Sequence, residues 1–337
     1  MKTNVCPSSL QSNFHTYSPK ARTLLFEGKR VPHILSFKHQ DIRTSAFQGF
    51  GQSFRQLSIS GVQEKYGLVL DGTVLRLPEP NEQTKYILKP IPPDLPNASE
   101  IPANEHLTMQ IAHQVYDIPI AANGLIFFAD EEPALLVKRF DFRPDGSKWR
   151  QEDFASLSNR TKQTAGADYK YEGSYEEVAQ LIKQHLPAYR VEVEKFFRLV
   201  LFNYLFSNGD AHLKNFSILE TLDGDFVLSP AYDLICTRLH LSDSDMALKD
   251  GLFSNDYETD SYTANAFYAF DDFLIFGSRI GIVEKRVRQQ LVIFQKDYEK
   301  VRAMTQNSWL SDTAKATYLA CYESRLQRLN YVFKMTQ

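Results

Sequence analysis

The sequence predicts an α+β chain in two lobes, β-rich over residues 1–140 and mostly helical over residues 141–337. Three observations carry this expectation. Short apolar runs bounded by turn signals crowd the first part, with one helical segment among them. A segment near residue 200 is apolar on every side, the mark of a helix buried at the centre of a lobe. Amphipathic segments with helical period close the chain.

Residues 1 to 55 mix polar and aromatic residues and show no readable period. Beyond them, YGLVL and TVLRL flank Asp71-Gly72, a strong hairpin signal because the turn needs residues that tolerate positive φ. TKYILKP reads as a short strand ending in Lys89. Ile101-Pro102-Ala103-Asn104-Glu105 opens a helix, since proline is tolerated in a first turn; Leu107, Ile111 and Val115 share one face. GLIFF and ALLVKRF read as strands joined across ADEEP. VEKFFRLVLFNYLFSNGD is the buried helix, expected to end at Asn208-Gly209. NFSILE and DFVLSP follow as strands around Leu222-Asp223-Gly224. One closing helix is expected to carry Val283, Val287, Leu291, Phe294, Tyr298 and Val301, and another Tyr322, Leu326, Leu329 and Phe333. Residues 241–270, acidic and without period, read as an exposed loop or a substrate-facing insertion.

A chain of 337 residues, 43% apolar and 23% charged, has the balance of a soluble globular protein. A net charge of −3 removes the general electrostatic reason for binding a polyanion, so no direct nucleic-acid contact is expected. Cys6, Cys236 and Cys321 lie far apart without C-x-x-C spacing, which disfavours a zinc site or disulfide framework and fits a reducing cytosol. The first twenty residues lack the apolar core of a signal peptide, and no membrane-length apolar run exists. The expectation is a cytoplasmic protein with no membrane contact.

The chemistry gathers around the end of the buried helix. Asp210 follows it in Asn-Gly-Asp-Ala-His-Leu-Lys-Asn, Asn215 comes five residues later, and Asp233 follows the second short strand in Ala-Tyr-Asp-Leu. A helix, a polar loop with Asp and Asn, a tight hairpin and another Asp is a phosphotransferase order. Phosphoryl transfer needs a carboxylate to take a hydroxyl proton and hard oxygen ligands to hold Mg²⁺ against phosphates. Asp210 suits the first task; Asn215 and Asp233 suit the second. In the β-rich part, Lys89 can reach phosphates as a point charge and Glu105 on the next helix can hold it. Residues 137–140 end the last strand, where a linker would offer backbone groups to adenine. Lys214 can stabilise the transferring group. Each residue also has a plainer role. Asp210 can cap a helix, Asp233 can turn a loop, Lys89 can end a strand in water, and Glu105 can answer a helix dipole. His212 reads equally as a core histidine or a site-orienting one. Asp210 and His212 could also ligate a metal in a hydrolase, but His185 and His240 are poor partners for them. The joint order favours the phosphotransferase reading.

These residues resemble a known family. SISGVQEK, YILKP, PANEH, VKRFD, QEDF, FNYLFSNGDAHLKNFS and LSPAYDL are similar to the HipA-type serine/threonine kinase toxins of bacterial toxin–antitoxin systems, over residues 55–240. The resemblance implies a two-lobed protein-kinase-like fold that uses ATP and Mg²⁺. It implies Asp210 as catalytic aspartate with Lys214 beside it, Asn215 and Asp233 as Mg²⁺ ligands, and Lys89 as the ATP-phosphate lysine. Residues 58–65 match the phosphate loop. Ser60, Gly61, Val62, Gln63, Lys65, Glu105, Lys138, Arg139, Phe140, His212 and Tyr232 complete the implied nucleotide site. Ser58 falls where the family carries an autophosphorylated serine, with Ser60 a second hydroxyl two residues on. A phosphate there adds about −1.5 to −2 charge beside the ATP phosphates, so the loop would have to move out. With only about 55 residues before that loop, the chain resembles the short HipT-type branch. That branch implies a DNA-binding HipB-like antitoxin and a small HipS-like protein as partners. The implied target is an aminoacyl-tRNA synthetase, such as the glutamyl or tryptophanyl enzyme. Two other functions remain open at this point: a small-molecule or lipid kinase of the same layout, and a nucleotide-binding scaffold for antitoxin partners.

Overall fold

A computed structural model of the protein describes residues 3–45, 55–58, 61–93 and 95–333. The N-terminal segment forms helices α1 (Pro19–Phe26) and α2 (His39–Ser45). Ser18 caps α1 by accepting the Ala21 N–H at 3.2 Å. Strands β1 (Arg55–Ser58) and β2 (Gly61–Glu64) pair antiparallel, Ser58 opposite Gly61. Five further strands follow: β3 (Tyr66–Asp71), β4 (Val74–Arg76), β5 (Tyr86–Lys89), β6 (Asn123–Phe127) and β7 (Pro133–Lys138). They make an antiparallel sheet in the order β4-β3-β5-β7-β6. Gly72, at φ 57°, turns β3 into β4 as the Asp71-Gly72 signal predicts.

Both faces of this sheet are covered, and alternation along the strands shows by what. Leu125, Phe127, Leu135 and Val137 share a core with helix α3 (Ile101–Gln114). Ile126, Phe128, Ala134 and Leu136, one residue out of phase, pack with Cys6, Tyr17, Leu25 and Phe26 of the N-terminal segment. A strand covered on both faces must be apolar throughout, which is why GLIFF and ALLV show no alternation. The described part of the segment without a readable period, residues 3–45, thus forms a layer of the first lobe.

Helix α3 is buried on every side from Ile101 to Ala112, polar residues included. Each of those polar groups needs a partner. His106 Nε2 meets the Ser8 carbonyl at 2.8 Å, Gln110 donates to Asn123 at 3.1 Å, and Thr108 meets the Tyr318 hydroxyl at 3.0 Å. Their partners lie on both lobes, so α3 is locked between them. The lobes also meet where Ala121 N–H donates to Ala231 O at 2.9 Å and Ala231 N–H to Pro119 O at 2.8 Å.

The second lobe holds a small antiparallel sheet of β8 (Gln151–Asp153), β9 (Ser217–Glu220) and β10 (Phe226–Leu228), in the order β10-β9-β8. Gly224, at φ 80°, turns β9 into β10 at the predicted hairpin. Helices α4 (Phe154–Leu157), α5 (Lys162–Ala165) and α6 (Tyr175–His185) precede the central α7 (Tyr189–Leu205). Phe196, Phe197, Val200, Leu201, Phe202 and Leu205 of α7 are buried, each worth about 1.5–3 kcal/mol of transfer free energy. The remaining helices are α8 (Asp260–Asn265), α9 (Phe270–Arg279), α10 (Glu284–Phe294), α11 (Glu299–Gln306) and α12 (Asp312–Asn330). Among the described residues, no helix is long and apolar enough to cross a membrane.

Four expectations about elements are corrected. The buried helix ends at Leu205, not at Asn208-Gly209, and Ser207 at φ 52° makes the left-handed turn. Gly209 serves a different purpose, because a Cβ there would overlap the Asp243 carboxylate. The expected helix through Val283 and Val301 is two helices. The break falls at Tyr298, whose N–H donates to Tyr322 Oη at 3.4 Å and whose ring meets Tyr116. Tertiary partners thus satisfy the interruption that the regular spacing conceals. Phe333 lies beyond the end of α12. Residues 241–270 are only partly exposed: Met246, Leu248, Leu252 and Phe253 are buried, and Gly251 and Leu252 carbonyls accept the first N–H groups of α6.

Candidate active site

Lys89 ends β5 beneath the sheet, facing α3, and its residue is only 4% exposed. Its ammonium donates to Glu105 Oε1 at 2.5 Å and also to Asp233 Oδ1. Lys65, just after β2, reaches Asp233 Oδ2 at 3.6 Å. Two lysines and two carboxylates therefore balance in one cluster, with Lys89 and Glu105 buried and the Asp233 side chain 31% exposed. Burial opposes the Lys89 charge, but Asp233 and Glu105 more than offset it and hold the ammonium above its ordinary value. Burial also opposes the Asp233 charge, and Lys65 and Lys89 reverse that effect and keep the carboxylate ionised. Burial dominates at the other two groups, lowering Lys65 and raising Glu105. Asp233 holds φ at 56°, uncommon for a residue with a side chain, and this bend turns its carboxylate toward the lysines.

The loop after α7 carries the second group. Asn208 N–H donates to Asn203 O at 2.8 Å and Gly209 N–H to Thr237 Oγ1 at 2.9 Å, which fix the backbone on either side of the turn. Asp210 accepts a hydrogen bond from the Tyr171 hydroxyl at 2.7 Å. Burial raises its carboxyl to about 6, against the pull of Tyr171 and Lys170. Burial also lowers His212 to about 3, so its ring is neutral at pH 7 and its 3.9 Å approach to Asp210 is no ion pair. His212 packs edge-on against Tyr171, and its buried Nδ1 has no partner among the described residues. Asn215 Oδ1 accepts the His212 N–H at 3.2 Å. Lys214 Nζ lies 3.5 Å from Asp153 Oδ2, the residue that caps α4. The Tyr232 hydroxyl donates to Lys214 O at 3.0 Å, and its ring lies 5.9 Å from that of Phe140.

Other candidates stand apart. Lys138 Nζ donates to Glu27 at 3.1 Å, and Arg139 lies in a fork on Asp141 at 2.9 and 2.5 Å. Their backbone N–H groups are also engaged, with Ala122 O and Lys85 O. Ser58 ends β1, while Gly61, Val62 and Gln63 lie in β2. Ser60 lies outside the described residues. Sequence reasoning missed three residues that act on the site. Tyr171 bonds Asp210, Lys170 is buried and favours its charge, and Asp153 holds Lys214. Tyr171 and Lys170 carry no local signal, because only folding brings their short 3₁₀ turn onto the loop. Asp153 stands in QEDF, where its capping role is the only readable one.

The arrangement offers a carboxylate able to take a proton near neutral pH and lysines able to meet phosphate oxygens. Asn215 and Asp233 supply only oxygen donors, one of them anionic, which fits Mg²⁺ with its other positions left to phosphates and water. Among the described residues, no three His, Cys, Asp or Glu side chains gather as a metal cluster. The buried, unpartnered His212 Nδ1 is a group that a bound ligand or water would satisfy.

Residues 57–301 match the family described as the HipA-like C-terminal domain. A Haemophilus influenzae protein that carries the name "Putative kinase" is 31% identical over 329 residues, covering 93% of this chain and 92% of its own. A chain from the Shewanella oneidensis MR-1 toxin–antitoxin complex of HipA, HipB and operator DNA superposes with a TM-score of 0.63. It is 20% identical, over 95% of this chain and 76% of that one. The Helicobacter pylori proinflammatory kinase CtkA superposes with a TM-score of 0.50 at 16% identity, over 82% of this chain and 93% of its own. At such identities the likeness is one of fold, and the fold is two-lobed and kinase-like.

Proposed function

This chain belongs to the family with the HipA-like C-terminal domain, and from that premise we propose that it is an ATP- and Mg²⁺-dependent serine/threonine protein kinase. The observation that carries the proposal is the bridge at Lys89. A strand lysine joined to a helix glutamate and to the aspartate after a distant hairpin is the ion set that a kinase uses to hold nucleotide phosphates. In this reading Lys89 and Lys65 meet the phosphates and Glu105 keeps Lys89 in place. Asp210 accepts the hydroxyl proton while the hydroxyl oxygen bonds to the γ-phosphorus and the bond to ADP breaks. Lys214 stands by the transferring group. Asn215 and Asp233 would hold Mg²⁺, which when bound neutralises charge on the phosphates. Phe140, Tyr232 and His212 border the nucleotide. Lys138 and Arg139 would act only through their carbonyl groups, because their N–H groups and side chains are engaged elsewhere.

The segment over residues 58–65, expected as a loop but carrying the end of β1 and all of β2, covers the phosphates in this proposal, and Ser58 or Ser60 receives a phosphate that self-inactivates the enzyme. The biological role we propose is that of a toxin in a toxin–antitoxin system. Its partners would be a HipB-like antitoxin and a HipS-like protein, and its substrate an aminoacyl-tRNA synthetase, glutamyl or tryptophanyl. Support for the antitoxin comes from the related HipA, which is solved with HipB and operator DNA.

Intact and peptide masses after incubation with Mg-ATP test the core of this reading, with wild type beside Asp210→Ala. Phosphate on Ser58 or Ser60 of the wild type alone is the expected result, followed by phosphate on one of the two synthetases in a mixed assay. Confirmed ATP binding with no phosphate on this chain or on either synthetase would replace the kinase by a nucleotide-binding scaffold. Phosphate on extracted metabolites but on no protein would replace it by a small-molecule kinase.

A further inference from the structure

One face of α12 carries Cys321, Ser324, Arg325 and Arg328, linked by steps of three and four that make them neighbours on a helix. Ser207, in the left-handed turn after α7, and Arg238, in a short turn over Thr237–Leu239, line a cavity of about 210 Å³ together with them. A single water needs roughly 10–15 Å³, so the space admits a polyatomic ligand.

The hydrogen bonds of this wall are incomplete. Arg325 is 3% exposed; its Nε donates to Ser207 Oγ at 3.2 Å and its Nη2 meets Asp245 at 2.7 Å. Its buried Nη1 has no hydrogen-bond partner among the described residues. The Tyr204 ring lies 4.8 Å from that guanidinium, but the Tyr204 hydroxyl is turned to Tyr268 O. Arg328 Nη1 meets Asp245 at 2.9 Å. Arg238 Nη2 lies 3.5 Å from Asp245 and donates to the Asp243 carbonyl at 3.3 Å. Two carboxylates therefore answer three guanidinium groups. Asp245 pairs with all three, and the Asp243 carboxylate packs over Gly209. With both carboxylates ionised, one positive charge is left over, and among the described residues no carboxylate lines the cavity itself.

We propose that this cavity binds a phosphate group, carried either by free orthophosphate or by a phosphomonoester. A buried guanidinium N–H without an acceptor is costly, and a phosphate oxygen would satisfy it through a charge-assisted hydrogen bond. The same anion neutralises the charge that Asp243 and Asp245 leave over. Planar guanidinium forks suit phosphate oxygens better than a point charge does, and here they come from two elements, α12 and the turn at Arg238. The Ser207 hydroxyl accepts from Arg325 and keeps its own proton to donate, as does Ser324 beside it on α12. The site is distinct from the phosphoryl-transfer cluster, because none of Lys65, Lys89 and Asp210 lines the cavity.

Equilibrium dialysis of the full-length protein against ³²P-labelled orthophosphate tests this, near neutral pH, without nucleotide, and at an ionic strength held constant with sodium chloride. Wild type should bind phosphate, and Arg328→Gln and Arg238→Gln should each weaken that binding by about ten- to a hundredfold. Their side chains are 33% and 39% exposed, so these two variants fold more readily than one at buried Arg325. Arg288→Gln removes the same charge from an exposed position on α10 and should leave binding unchanged. O-Phospho-L-serine that displaces the labelled phosphate assigns the site to a phosphomonoester; phosphate retained against it assigns the site to the free anion. Folded wild type that binds no phosphate overturns the proposal. Binding that survives both Arg328→Gln and Arg238→Gln also overturns it, since the phosphate then sits elsewhere, as does an equal loss in Arg288→Gln, which reports net charge alone. No nucleotide and no transfer step enter the measurement, so its outcome is independent of the kinase reading.

Discussion

Replacing Tyr171 by phenylalanine should move the acid limb of phosphoryl transfer up by about one pH unit. The Asp210 side chain is 24% exposed, and burial raises its carboxyl from 3.8 to about 6. The Tyr171 hydroxyl, at 2.7 Å, acts in the opposite direction because it donates to the charged form. A hydrogen bond to an ion contributes about 1.5–3 kcal/mol, and one pKa unit corresponds to about 1.36 kcal/mol, so its loss raises the carboxyl by about one to two units. Water can replace part of that bond at a carboxylate not wholly enclosed, which leaves the lower figure. Only the ionised form accepts a proton, so activity is lost as pH falls through the carboxyl's value. At pH 6 roughly half of wild-type Asp210 is ionised against about a tenth in the variant, a fivefold drop in rate; at pH 8 the two rates nearly agree. Single-turnover transfer of phosphate from ATP to the chain itself, from about pH 5 to about pH 8.5, measures this directly. A wild-type limb near the ordinary carboxylate value, or an equal loss at every pH, would refute the reasoning.

The same carboxyl makes an opposite prediction for stability. Its folded value lies above the unfolded one, so stability is fully present below about 3.8 and is lost as pH rises through about 6. Asp210→Asn should therefore raise the unfolding free energy measured in urea at pH 7.5, by at most about 3 kcal/mol, with the gain shrinking toward pH 4; a gain independent of pH counts against a buried charge. Lys89→Met leaves Glu105 and Asp233 facing each other with only Lys65 between them, and should cost about 3–5 kcal/mol in urea unfolding. Adding Glu105→Gln should restore part of that loss, and a double variant no more stable than the single would show that the cluster is not charge-balanced as described. Gly209→Ala would drive a methyl group into the Asp243 carboxylate and the Ser244 backbone oxygen, at a cost of about 1–3 kcal/mol. It should also displace Asp210 and slow phosphoryl transfer, so unchanged stability and rate together would mean that the loop yields freely.

Much of the outline was readable in the residues because its causes are local. Asp71-Gly72 and the turn before Gly224 are set by backbone sterics, and the all-round apolarity of α7 announces its place at the centre of a lobe. The residue types also singled out Lys89, Glu105 and Asp233, which the fold brings into one ion cluster. Tertiary structure decided what distance along the chain hides. It made residues 3–45 the second cover of the five-stranded sheet, broke the expected Val283–Val301 helix at a tyrosine cluster, and buried Met246, Leu248, Leu252 and Phe253 near α6. It also set the charges. The proton affinity of Asp210 depends on burial and on Tyr171, and the ionisation of Asp233 depends on Lys65 and Lys89. Desolvation and Coulomb attraction act through space, so packing alone determines which side chains lose water and which charges meet.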